Sequence, residues 1–189
     1  MAQQHVYEQN ENQREKQKRS KAFELVLNGL LIAIVFIATK FIQFQLPGAS
    51  TGGLVHLGNI MVFTIAIVFG PKRGFIAAAI GMALFDVLSG WASYAPITFI
   101  AKGIMAYIAG YIAYIGNKNG TSTLYNTLGI ILGGIAMIAT YYIGEIFMLG
   151  NVLAPLANVP GNITQIVIGY VIAIPFAFAL KKTPYFKNF

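Results

Sequence analysis

The chain has 189 residues, 57% of them hydrophobic and only 10% charged, against about 45–50% and about 25% in an ordinary soluble domain. That balance excludes a soluble globular protein, whose core would lack polar surface to cover it, and points to a membrane protein built of self-satisfying helices. The formal net charge of +7 does not imply nucleic acid, because basic clusters in such chains act as orientation signals and contacts to anionic lipid.

Residues 1–21, "MAQQHVYEQNENQREKQKRSK", are polar and basic and lack the apolar h-region and small-residue cleavage site of a secretory signal; they read as a cytoplasmic tail. Six apolar runs follow, separated by Gly, Pro and Asn clusters. They predict helices at 22–41, 54–70, 74–90, 95–116, 124–149 and 160–181. The runs are continuous, without the period-two alternation of barrel strands. The second opens in the Gly-rich "STGGLVHLGN", has a short apolar part and ends at the turn "GPKRG". Residues 22–182 thus form one all-α, polytopic membrane domain of six transmembrane helices, and 183–189 a short second tail.

Eleven of the thirteen Lys and Arg residues fall in the N-terminal tail, the Lys72/Arg73 turn, the loop with Lys118, and the stretch holding Lys181, Lys182 and Lys187. In a six-span chain those regions share one side. The connections around 42–53, 91–94 and 150–159 carry none, so the positive-inside rule places both termini in the cytoplasm.

Four ionisable residues lie inside the apolar runs: Lys40, Asp86, Lys102 and Glu145. Lys40 is at the outer end of its span, where a long stem snorkels to the headgroups. The other three lie about 6–11 Å below the outer surface at 1.5 Å per residue. A charge at such depth costs about 2.5–3.5 kcal/mol even on the mildest scale, so it faces a bundle interior or wet cavity and usually marks a function. A structural Asp86–Lys102 pair, with Glu145 hydrogen-bonded to a neighbour, is the plainer alternative.

The same layer holds His56 and Asn59, Trp91 and Tyr94, and, around the last outer connection, Asn151, Asn158, Asn162 and Gln165. A few converging polar groups on an aromatic wall suit a small heteroaromatic ligand. Trp91 and Tyr94 also fit an interfacial belt, and the lone His56 suits hydrogen bonding better than metal ligation. The chain has no cysteine, which excludes thiolate metal sites and disulfides. It shows no metal cluster, nucleophile elbow or phosphate-cradling loop, so it reads as no enzyme, with no cofactor or metal of its own; any ATP must be hydrolysed by another chain. Small residues four apart allow close helix approach. Ala77/Gly81 and Ala79/Ala83 suit internal packing, whereas Gly29/Ala33 at the cytoplasmic end of the first span suits a partner subunit.

The run from His56 to Gly110, "HLGNIMVFTIAIVFGPKRGFIAAAIGMALFDVLSGWASYAPITFIAKGIMAYIAG", resembles the S components of energy-coupling factor (ECF) vitamin transporters. Within that group it looks most like the hydroxymethylpyrimidine and pyridoxine branch, and unlike the riboflavin components, whose corresponding stretch is more acidic than "HLGNIMVF". The resemblance implies a six-helix, multi-pass subunit of the bacterial plasma membrane that binds a vitamin or precursor near the outer face, under a lid from the first outer loop. It implies association with a transmembrane scaffold (T) subunit and two ATPase subunits (A and A′), and transport by toppling of the whole subunit in the bilayer. The family's AxxxA contact on the first helix matches Gly29-x-x-x-Ala33, with Gly replacing the first Ala. The substrate-binding residues expected are His56, Asn59, Asp86, Trp91, Tyr94, Lys102, Glu145 and Asn162. The competing reading is an autonomous secondary transporter coupled to protons through Asp86 or Glu145, against which the small size and the missing pair of broken helices count.

Overall fold

The computed structural model describes residues 2–41, 43–45 and 54–187. Most of the first outer connection, and with it the expected lid, lies outside the described residues. Six helices build the bundle: α1 (Ala2–Phe41), α2 (Gly58–Phe69), α3 (Pro71–Leu88), α4 (Ala95–Tyr114), α5 (Thr123–Leu149) and α6 (Val159–Lys181); a single turn, α7 (Pro184–Lys187), follows. Each predicted run coincides with one of the six, although α1 begins at Ala2, within the expected tail, and α3 begins at Pro71, ahead of its run. Among the described residues, four stretches are long and apolar enough to cross a membrane: Ser20–Phe41, Ala95–Asn117, Thr123–Leu149 and Ala154–Lys181. Their outward faces are apolar, with Leu25 76%, Phe147 83% and Val171 60% exposed, a surface that suits lipid and not water.

The second run departs from expectation. Its helix has 12 residues, about 18 Å of rise, well short of a hydrocarbon core of about 30 Å. Ten of those residues are buried, because α1, α3, α4 and α6 surround α2; a helix apolar on every side belongs in such a core. The residues ahead of it are extended instead. Leu54–His56 (β2) pairs antiparallel with Gln43–Gln45 (β1), Gln43 opposite His56, so the described chain is helical apart from this small hairpin.

Sequence chemistry fixes the corners. Gly70 takes φ +87° between α2 and α3, a conformation that favours glycine, and Pro71 then opens α3 at the position where its missing N–H costs nothing. The Tyr114 ring packs on Gly70, and its hydroxyl donates to the Val68 carbonyl at 2.8 Å. Between α4 and α5 the backbones nearly touch. A Cβ on Gly133 would lie 2.5 Å from the Met105 carbonyl oxygen, and one on Gly129 would lie 2.6 Å from that of Ala109. Ala77, Ala79 and Gly81 of α3 are buried, Gly81 against α1 and Ala79 against Gly103 of α4, so these small residues serve internal packing. Gly29, in contrast, has nothing within 4 Å of its Cβ position, and Ala33 is exposed.

Candidate functional site

Helical spacing brings the polar layer together. Tyr94 caps α4, and Thr98 and Lys102 follow at four-residue intervals; Met137, Tyr141 and Glu145 repeat the pattern on α5. Residues four apart share one helix face, so α4 and α5 each present a polar stripe. The end of α3 adds Met82, Phe85 and Asp86. After α3 the chain turns back on itself, with the Trp91 N–H donating to the Asp86 carbonyl and the Tyr94 N–H to the Trp91 carbonyl, both at 2.8 Å. That turn sets Trp91 and Tyr94 edge to face, 6.1 Å apart, over the opening. His56 enters from β2, Asn162 and Gln165 from α6.

All of these residues except Met137, twelve in number, line one cavity, with about 500 Å³ of space between their atoms, counting its open mouth. Of the eight residues expected from the sequence, seven line it: His56, Asp86, Trp91, Tyr94, Lys102, Glu145 and Asn162. Asn59 does not; it sits behind the wall as a partner of Lys102. The residues that sequence reasoning left out of the site are Met82, Phe85, Thr98, Tyr141 and Gln165.

Lys102 is 1% exposed. Its ammonium donates to Asn59 Oδ1 and Gln165 Oε1, both at 3.0 Å, and approaches Met137 Sδ at 3.2 Å, while the Tyr141 ring lies 5.6 Å away. An ammonium has three donors, so all three are engaged by uncharged groups. No ion pair joins Asp86 to Lys102 among the described residues. The plainer alternative, a structural pair between them, is therefore not what the geometry shows.

The carboxylates are held differently. Glu145 accepts from Asn158 Nδ2 at 3.0 Å. Tyr141 donates to Thr98 Oγ1 at 3.0 Å, and Thr98 lines the same cavity as Asp86. Asp86 Oδ2 is buried with no partner among the described residues, as are His56 Nδ1 and Asn59 Nδ2. A buried polar atom without a partner costs about 1–3 kcal/mol, so this cluster is suited to a ligand that donates to Asp86. Outside the cavity, Lys40 donates to Ser89 at 3.1 Å and lies over the Phe85 ring at 5.9 Å, at the rim, as its end-of-span position implies. Asn151 accepts the N–H groups of Leu153 and Ala154, a turn-stabilising role.

Residues 19–182 match the family model described as "ECF-type riboflavin transporter, S component". The chain belongs to this S component family. As a family of transporter subunits it contains no enzyme assignment for the chain, and together with the apolar helices it places the chain in a membrane. Among similar proteins, the "Thiamine precursor transporter HmpT" of Lactococcus lactis subsp. cremoris (strain MG1363) is 25% identical over 168 residues, covering 88% of this chain and 92% of its own. That likeness supports the hydroxymethylpyrimidine-like branch. An "Uncharacterized protein in gap 3'region" of Pyrococcus woesei is 31% identical over 148 residues, 78% of this chain and 95% of its own.

Proposed function

We propose that this S component is the high-affinity substrate-binding subunit of an ECF-type ABC importer for hydroxymethylpyrimidine or pyridoxine. The observation that carries the reading is Asp86 Oδ2, without a partner among the described residues, in a cavity walled by Trp91, Tyr94 and Tyr141. A compact ring bearing an amino or hydroxyl donor meets that carboxylate, and its face meets the aromatic rings. His56, Glu145, Asn162 and Gln165 supply further donors and acceptors around it, and Lys102, braced by Asn59, forms the floor. The name of the Lactococcus relative supports the pyrimidine precursor over pyridoxine.

In this reading the chain spans the plasma membrane six times with both termini cytoplasmic, α2 serving as a short, protein-enclosed span. The exposed Gly29 and Ala33 face on α1 contacts a T subunit, and two ATPase subunits, A and A′, hydrolyse the ATP; the chain carries no cofactor. Calorimetric titration of the purified chain with hydroxymethylpyrimidine, pyridoxine, thiamine and riboflavin tests the reading. Sub-micromolar binding of one of the first two is expected, with no uptake into vesicles unless the partner subunits are present. Absence of binding to all four, or gradient-driven uptake by this chain alone, refutes it.

A further inference from the structure

A second concavity lies on the outer surface of the bundle between α3 and α4, away from the polar cavity. Phe75 and Ile76 form one wall, Ile104 and Tyr107 the other, and Lys72 stands at one end. Its space is about 830 Å³ counting the open side. The walls are firm: the Phe75 ring packs on Gly103, where an added Cβ would come within 2.7 Å of it, and meets Phe99 edge to face at 6.1 Å. Tyr107 stacks on Tyr111 with the rings 12° from parallel.

The charge at the mouth distinguishes this groove. Arg73 is paired with Glu24, whereas its neighbour Lys72 is exposed and has no hydrogen bond or ion pair among the described residues. Lys72 lies in the first turn of α3, on the side where the basic residues collect, and the apolar walls run from there toward the middle of the bundle. A comparable groove lined by Ile135, Ile138, Ala139, Tyr142, Leu156 and Val159 has no charged residue at all. An uncompensated cation at the headgroup end of an otherwise apolar slot matches one amphiphile, a lipid with a negative head.

We propose that the α3–α4 groove binds an anionic phospholipid, its phosphate on the Lys72 ammonium and one acyl chain along Phe75, Ile76 and Ile104. A basic residue near the membrane surface favours anionic over neutral lipid by about fivefold. Native mass spectrometry of the purified full-length chain with equimolar phosphatidylglycerol and phosphatidylcholine of identical chains measures that preference. Wild-type protein is expected to retain phosphatidylglycerol about fivefold better, Lys72→Gln to retain both equally, and Ile104→Trp, which fills the slot, to lose both. Lys118→Gln removes an exposed lysine outside the groove and should leave the preference intact. Equal retention by the wild type, a preference that survives Lys72→Gln at unchanged melting temperature, or an equal loss in Lys118→Gln would each overturn the site.

Discussion

Replacing Asp86 by Asn removes one charge and almost no volume from the cavity wall. The Asp86 backbone carbonyl, which receives the Trp91 N–H, is unaltered, so the turn that places Trp91 and Tyr94 stays. In the ligand complex the substitution turns a charged hydrogen bond at Oδ2 into a neutral one at best. Hydrogen bonds to charged groups contribute about 1.5–3 kcal/mol, which predicts a rise in Kd of roughly 10- to 150-fold at about 1.4 kcal/mol per decade. Stability of the empty protein should behave differently. Breaking a buried ion pair costs about 3–5 kcal/mol, or at least about 6 °C in melting temperature for a chain of this size; with no pair between Asp86 and Lys102, that loss should not occur. Calorimetric titration with hydroxymethylpyrimidine and thermal melting without ligand, on the same preparation, give both quantities. An affinity within twofold of wild type in folded protein, or a drop of more than about 6 °C in the empty protein, would refute the reasoning.

Lys102→Met should do the opposite: it deprives Asn59 Oδ1 and Gln165 Oε1 of their donor, each loss costing about 1–3 kcal/mol, so the melting temperature of the empty protein falls by several degrees. Trp91 is the single tryptophan and lines the cavity, so ligand should change intrinsic fluorescence saturably, and Trp91→Phe should abolish the signal while calorimetry still detects binding. Gly29→Trp fills open space; melting and ligand affinity should stay at wild-type values while co-purification with the T and ATPase subunits is lost. Unimpaired assembly of that variant would remove Gly29 from the partner contact.

The long helices were legible because apolar length and Gly/Pro punctuation carry that signal directly: α5 and α6 begin and end within about one residue of the expected bounds. α2 was not, since an apolar run reads alike whether it faces lipid or protein, and only the packing of four neighbours shows that twelve helical residues suffice. At the site, charge at unusual depth singled out Asp86, Lys102 and Glu145. Thr98, Tyr141 and Met82 look like ordinary span residues, although Thr98 and Tyr141 lie one turn from Lys102 and Glu145, a spacing that would have placed them on the same faces. The partners of Lys102 could not be read from sequence, because helix rotation decides whether its ammonium meets Asp86 or the amides of α2 and α6.

The glycine seam between α4 and α5 bears on how a ring enters the cavity. With Gly129 and Gly133 backbone-close to Ala109 and Met105, the two helices cannot slide or tilt apart without opening a void along the whole contact. Thr98, Lys102, Tyr141 and Glu145 therefore ride on a fixed jaw. Across the cavity, Lys40 donates to Ser89 and His56 meets Phe85 at a tilt. For the ring proposed above, the anchoring groups on α4 and α5 thus keep their spacing on binding.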